Sequence, residues 1–285
     1  MFQVGLGYRR ELHQEILDAP PGLIDFVELA PENYVGMGGE WRRKLALVRA
    51  KLPVLTHGFS LSLGGTAPLD GDLIEDLGRF CAEVGTRHHS DHACWSSMGQ
   101  THLHELLPVP FTRELAARMA ARVREVASSL PVPFAVENVS SYARYPEDTM
   151  GEADFMTEVL DRADAPMLLD VNNILVNAIN FKLDPFEILR RMPAERAVQI
   201  HVAGFWRERE DLVIDTHGEP VDARVWPLLE EALRRTGPVP VLLERDHNFP
   251  AFSALAEEIG VIRGIGERVF GREPEHRDRD QDRVL

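Results

Sequence analysis

Pro133-Phe134-Ala135-Val136-Glu137-Asn138-Val139 is the stretch on which the reading of this chain turns. Pro133 to Val136 has the composition of a short buried strand, and a carboxylate follows where the apolar run ends. One such carboxylate means little, but the arrangement recurs. Leu52-Pro53-Val54-Leu55-Thr56 runs into His57, Met167-Leu168-Leu169 into Asp170, Val198-Gln199-Ile200 into His201, and Val239-Pro240-Val241-Leu242-Leu243 into Glu244. Five metal-capable side chains at five strand ends predict that those ends converge and coordinate something.

Outward from that stretch, strand-like runs fall near residues 2–7, 25–30, 53–58, 87–92, 133–138, 166–171, 197–202 and 239–244. Helical patterns separate them: Glu40 to Lys51, Asp70 to Val84, Phe111 to Leu130, Ala153 to Ala163, Pro185 to Met192, Ala223 to Arg235 and Phe252 to Val269. In the second, Leu73, Ile74, Leu77, Phe80 and Cys81 recur at helical spacing. Only the first crossover is indistinct, with Arg9 to Asp18 readable as a short helix. Strand and helix alternating throughout predict parallel βαβ units, and eight repeats predict a closed (β/α)₈ TIM barrel in one domain, residues 1–270. A doubly wound open sheet is the competing architecture. It would want a glycine-rich phosphate turn after the first strand, which Gly36-Met37-Gly38-Gly39 does not supply; Gly64-Gly65 reads as backbone punctuation. Residues 271–285 offer little apolar surface and read as a charged, solvated tail.

Charge narrows the partners. The 285 residues carry a net charge of −15, which argues against nucleic acid, whose phosphates need Lys and Arg. No run approaches the roughly 18 apolar residues of a membrane span, and Met1 to Gly7 lacks the basic and apolar regions of a signal peptide. A cytoplasmic location is the expectation. Cys81 and Cys94 are too few for a disulfide framework; Cys81 reads as a small buried apolar residue, and Cys94 draws attention only by its nearness to His92.

In a barrel of this kind the active site lies at the C-terminal ends of the strands. The strand-end list is then a candidate site: Glu28, His57, His92, Glu137, Asp170, His201 and Glu244. Asp215 and His217 follow the seventh strand in a loop, two residues apart, so that on extended backbone both would face one side and chelate one ion. Imidazole nitrogen with carboxylate oxygen, and no thiolate, suits iron, manganese or zinc in an open site. The set exceeds what one ion can use, which predicts two or more metals with Glu137 as a central bridge. Each residue also has a bland reading. His57 would serve as a core histidine, the carboxylates as partners of Arg245, Asp215 as a turn residue, and Glu28 as a partner of Asn33 or Arg9. His88, His89, His102, His104 and His247 read as structural or exposed, and His13 and His276 as surface residues. A Ser–His–Asp hydrolase is disfavoured by the lack of a Gly-x-Ser-x-Gly elbow, and a nucleotide-binding P-loop is missing as well.

At these residues the chain resembles a known family. The segments Thr56-His57-Gly58-Phe59-Ser60-Leu61-Ser62, Ser90-Asp91-His92-Ala93-Cys94-Trp95, Val136-Glu137-Asn138, Leu169-Asp170-Val171-Asn172-Asn173, Ile200-His201-Val202-Ala203-Gly204, Asp215-Thr216-His217-Gly218 and Leu243-Glu244-Arg245-Asp246 are similar to those of the multinuclear non-heme iron-dependent oxidative enzymes, which include the iron subunit of methanobactin biosynthesis. The match runs through residues 1–270 in order and spacing. It implies a TIM barrel holding two or three irons, mixed Fe2+ and Fe3+. It also implies oxidation by dioxygen of cysteines in a ribosomally made precursor peptide, delivered by a separately encoded partner protein. The ligands it implies are His57, His92, Glu137, Asp170, Asn173, His201, Asp215, His217 and Glu244, with Glu137, Asp170 and His201 at the catalytic centre. The family often has Glu where Asp91 stands, a position that is not a ligand. Two other functions compete: a divalent-metal isomerase or hydrolase of the sugar-isomerase type, separable by metal content and dioxygen dependence, and a non-enzymatic metal- or peptide-binding protein, separable by turnover of a cysteine peptide.

Overall fold

The structure is a computed structural model and describes residues 2–98 and 101–271. Its strands are β1 (Val4–Gly7), β2 (Phe26–Leu29), β3 (Val54–His57), β4 (His89–His92), β5 (Trp95–Met98), β6 (Thr101–Leu107), β7 (Phe134–Glu137), β8 (Met167–Asp170), β9 (Ala197–Val202), β10 (Phe205–Arg209), β11 (Leu212–Asp215) and β12 (Val241–Leu243). Eight of them close a barrel in the order β1-β2-β3-β4-β7-β8-β9-β12, with β12 returning to β1 and all pairs parallel. These are the eight runs read from the sequence, and the open-sheet alternative falls away.

Register explains how the inside is built. Successive strand residues face opposite sides, and the pairing Gly7↔Glu28↔Leu55, His57↔Ser90↔Ala135, His92↔Glu137↔Leu168, Asp170↔His201↔Leu242 links one continuous inward set. The lower inward positions are largely apolar. Phe26, Leu55 and Leu242 form a small cluster of their own, and Gly5 leaves the space that the Phe26 ring fills; a Cβ at Gly5 would lie 2.4 Å from that ring. Two residues further along each strand come Glu28, His57, His92, Glu137, Asp170, His201 and Glu244. The outward positions, such as Leu6, Val27, Val54, Val136, Leu169, Ile200 and Leu243, belong instead to the large core shared with the surrounding helices.

The helices follow their sequence signals. Asp70 caps Gly71–Val84 by accepting from the backbone N–H groups of Asp72 and Leu73, and Thr112 caps Arg113–Ser129 through Leu115. The indistinct first crossover is a 3₁₀ turn, Arg10–Leu12, followed by the short helix His13–Asp18. The sequence reading missed three features. A helix, Val171–Phe181, begins directly after β8, because Asp170 is both the strand end and the helix cap: its Oδ1 accepts from Asn173 N at 2.7 Å. Two antiparallel hairpins, β5–β6 and β10–β11, rise from the strand ends after β4 and β9. The charged stretch 272–285, with His276, lies outside the described residues. Among those described, no helix is long and apolar enough to cross a membrane.

Candidate metal centre

Closing the barrel brings the strand-end donors into contact. Glu137 Oε2 lies 3.0 Å from His57 Nε2 and 3.0 Å from His92 Nε2, and those two nitrogens are 3.1 Å apart. The other oxygen of Glu137 is 3.4 Å from His201 Nδ1, which in turn is 3.3 Å from Glu244 Oε2. Glu244 Oε2 continues the chain to His217 Nδ1 at 3.4 Å, and His217 Nε2 lies 2.8 Å from Asp215 Oδ1. Two groups have donor atoms all within 4.8 Å of one another: His57, Glu137 and His201, and then Asp170, His217 and Glu244. Asn173 lines the same cavity. The nine residues named as ligands by resemblance therefore meet at one end of the barrel, with Glu137 and His201 in the middle.

The donor set suits a metal on grounds internal to this protein. Glu137 Oε2, Asp170 Oδ2, Asn173 Oδ1, His201 Nδ1 and His217 Nε2 are buried and make no hydrogen bond, whereas buried polar atoms are normally paired. A triangle of two imidazole nitrogens and a carboxylate oxygen with edges of 3.0–3.1 Å matches adjacent ligands about 3 Å apart around an ion with bonds of about 2.1 Å. Charge points the same way. Glu28, Glu137, Asp170, Asp215, Glu244 and Asp246 converge here, while Arg9, donating to Asp246 at 2.9 Å and to Glu244 at 3.3 Å, is the guanidinium paired with them. Without an ion the histidines must carry the compensating charge. Burial opposes the imidazolium of His92, yet Glu137 and Asp91 raise its pKa to about 10. Burial likewise opposes charge on His201 and His217, and the facing carboxylates hold both well above the ordinary value. Asp170 is pushed well up by burial and by its neighbours Glu137 and Asp215. Bound cations would relieve these demands directly.

Several expectations need correction. Glu28 does not hold Asn33 or Arg9; its Oε1 lies 3.0 Å from His201 Nε2 and its Oε2 accepts from Gln199 Nε2 at 2.6 Å. Arg245 does not pair with the strand-end carboxylates; it turns away to Glu258 at 3.2 Å. Asp215 is the last residue of a hairpin strand, not a loop residue, and His217 has φ 52°. The same-side argument from extended backbone thus fails, and the two side chains meet because the chain curls back between them. His13 is buried against Tyr8 Oη at 2.9 Å, where a surface residue was expected. Asn172 and Asn173 both leave their side-chain oxygens unpaired; Asn172 donates to Asp215 Oδ1 at 2.9 Å and Asn173 to Asn138 O at 3.0 Å, and Asn173 is the one of the pair that lines the cavity. Gln199, Asn138, Arg9 and Asp246 were not singled out from the sequence as parts of the site. Gln199 was findable: it stands two residues before His201, a polar residue on the inward side of an otherwise apolar run.

The centre forms the floor of a cavity of about 830 Å³. Phe59, Ser96, His102, Leu106, Tyr142 and Thr216 are among its walls, so the β5–β6 hairpin shapes one side and the approach to His217 the other. Cys81 and Cys94 are fully buried, and burial pushes the first thiol up to about 11 and the second well above its ordinary value.

The family model described as RiPP precursor modification enzyme MbnB/TglH/ChrH matches residues 3–267. Similar relatives carry the name UPF0276 protein. One from Shewanella loihica is 42% identical over 275 residues, covering 96% of this chain and 98% of its own. One from Pseudomonas aeruginosa is 45% identical over 267 residues, covering 93% and 92%. Among solved structures, D-psicose 3-epimerase from Clostridium cellulolyticum superposes with a TM-score of 0.61 at 13% identity, over 94% of this chain and 99% of that one. A xylose isomerase domain protein from Alicyclobacillus acidocaldarius gives 0.59 at 18%, over 94% and 100%. These two likenesses are of fold. With a TIM barrel, a convergent nitrogen and oxygen donor cluster and a match over nearly its whole length, this chain belongs to the RiPP precursor modification enzyme family MbnB/TglH/ChrH.

Proposed function

We propose that this chain is an iron-dependent oxidoreductase that uses dioxygen to modify cysteine residues of a ribosomally synthesised precursor peptide in the cytoplasm, with a separately encoded protein delivering the peptide. The observation that carries the reading is the surplus of donors. His57, His92, His201 and His217, with Glu137, Asp170, Asp215, Glu244 and the Asn173 carboxamide, exceed the six positions of one octahedral ion, and all offer nitrogen or oxygen. Two or three irons suit them, and they would supply redox chemistry with dioxygen and a Lewis-acidic site for a thiolate.

The protein's own part is physical. The barrel strands hold Glu137 between the His57–His92 pair and His201, so one carboxylate faces three imidazoles, and His201 Nδ1 links it onward to Glu244 of the second group. Asp170 and His201 lie opposite each other in register, which places both beside Glu137 at the proposed catalytic centre. Asp246 Oδ2 accepts from His217 Nδ1 at 3.3 Å and orients that ring. The open cavity above is wide enough for a peptide side chain and its flanking backbone, and the donors on its floor are buried apart from the half-buried Asp215 and His217. The only two thiols of the protein are buried and held protonated, so they do not compete with a substrate cysteine.

The test is twofold. Protein purified without oxygen is analysed for metals, and a Cys-containing peptide encoded beside it is co-expressed with wild type or Glu137→Ala and weighed by mass spectrometry. More than one iron per chain, and a mass change that needs both dioxygen and Glu137, are expected. One zinc and no iron, with an unchanged peptide, would sink the reading. Oxygen-independent turnover of a sugar would favour the isomerase alternative instead.

A further inference from the structure

Among the described residues four histidines enter the centre, and one is turned the other way. His57 engages Ser90 Oγ through Nδ1 at 2.8 Å and faces Glu137 with Nε2. His217 engages Asp246 through Nδ1 and has Nε2 beside Asp215. His92 also aims Nε2 at Glu137. His201 reverses this: its Nε2 lies 3.0 Å from Glu28 Oε1, and its Nδ1 sits between Glu137 and Glu244 with no hydrogen bond.

We infer that Glu28 is a positioning residue that compels His201 to present Nδ1 to the metal centre, and that Gln199 and His88 hold Glu28 in that task. The inference rests on the metal-centre reading above. A carboxylate can only accept, so its contact with His201 Nε2 places a proton on that nitrogen; the Gln199 amide nitrogen also lies 3.0 Å from Nε2 but donates to Glu28 Oε2, and Nδ1, facing Glu137 and Glu244, is the nitrogen left to give up its proton to an ion. The same logic fixes the rest of the row. Glu28 Oε2 must receive the Gln199 amide nitrogen, at 2.6 Å. The Gln199 carbonyl is thereby turned to His88 Nε2, at 2.8 Å, which donates to it. Glu28, Gln199, His88 and His201 are all buried, so no solvent competes for these bonds, and the row runs across the barrel interior beneath the donors. The arrangement has a structural logic. His201 is the one histidine placed between the two coordination groups, where Nδ1, close to the main chain, reaches both Glu137 and Glu244.

The experiment exploits the direction of each bond. In Glu28→Gln the new amide nitrogen meets the Gln199 amide nitrogen, donor against donor. Adding Gln199→Glu restores complementarity: the amide at position 28 accepts from His201 Nε2–H and donates to position 199, which accepts from His88. Iron(II) is loaded without oxygen into metal-free full-length protein, and its release to an excess of chromophoric chelator is timed. Losing the partner that orients a metal-bound histidine typically weakens binding 10–100-fold. Glu28→Gln is therefore expected to release iron about 10–100 times faster than wild type, and the double variant to return to within a few-fold of it. A residue that merely filled space would leave both variants alike. Independently, zinc-loaded wild type labelled with ¹⁵N-histidine should show one ring protonated at Nε2 and bound through Nδ1, a signal missing from His201→Ala. A zinc-bound Nε2 at His201, or a double variant no better than the single, would overturn the inference while leaving the metal centre standing. A wild type that takes up neither ion would overturn the metal reading, and this inference with it.

Discussion

Glu152 offers the sharpest test of how polar groups are held behind the centre. It is buried; Oε2 accepts from Asn177 Nδ2 at 2.9 Å and Oε1 from Asn138 Nδ2 at 3.4 Å. Asn138 in turn brackets the main chain of Asp170, accepting from its N–H at 2.9 Å and donating to its carbonyl at 3.1 Å. Burial raises the Glu152 pKa from 4.5 to about 7, against the lowering effect of both asparagines and Arg144. The sign follows from proton linkage. The folded protein holds this proton more tightly than the unfolded chain, so its stability is unaffected below about 4.5, falls as pH rises from there to about 7, and levels off above. At about 1.4 kcal/mol per pH unit, the full loss is about 3 kcal/mol. Glu152→Gln removes the titration but sets an amide N–H against one asparagine donor, a pH-independent loss of about 1 kcal/mol. The two proteins should then be about equally stable at pH 5, and the variant more stable by about 2 kcal/mol at pH 8. Urea denaturation of both, metal-free, at those two pH values checks this, because all other titrating groups cancel in the difference. A difference between wild type and variant that is the same at both pH values would refute the reasoning and show Glu152 to be solvated and ionised throughout.

Three further outcomes are expected. Glu137→Ala should strip far more iron than Glu28→Ala, since it removes the carboxylate that faces His57, His92 and His201, whereas Glu28 acts through His201; elemental analysis of the folded variants decides, and equal retention would remove Glu137 from the centre. His217→Ala should leave about one iron fewer per chain and abolish most peptide modification, because the Asp170, His217 and Glu244 group loses its only imidazole; full iron with full turnover would dismiss that group as a metal site. Gly5→Ala would press a methyl into the Phe26 ring and should destabilise the fold by about 1–3 kcal/mol in urea, with no effect if the ring can swing clear.

Much of this was legible along the chain because it is local. Runs of strand length, seven of the eight ending in a donor, gave eight strands, and alternation alone put the seven strand-end side chains on the same face as the residues two before them. The resemblance of seven short segments to a family carried over the ligand set, Asn173 included. What escaped was of two kinds. The helix Val171–Phe181 hid because Asp170 serves both strand and helix, and the two hairpins hid because Trp95–Met98 and Phe205–Arg209 are largely polar or exposed and bury only Ser96 and Phe205.

Partnership was the other kind, and it is decided only by closure. Nothing near Glu28 in sequence announces His201, 173 residues on, nor does anything near Arg245 announce that it would turn to Glu258 rather than to the carboxylate beside it. Which nitrogen of His201 faces inward, which oxygen of Glu137 meets two imidazoles, and that Asp215 and His217 touch through a left-handed turn all depend on the register between strands. Alternation along a strand is a property of one backbone, readable from the residues themselves. Register across a barrel is fixed by how all eight strands fit their side chains together, and so belongs to the tertiary structure.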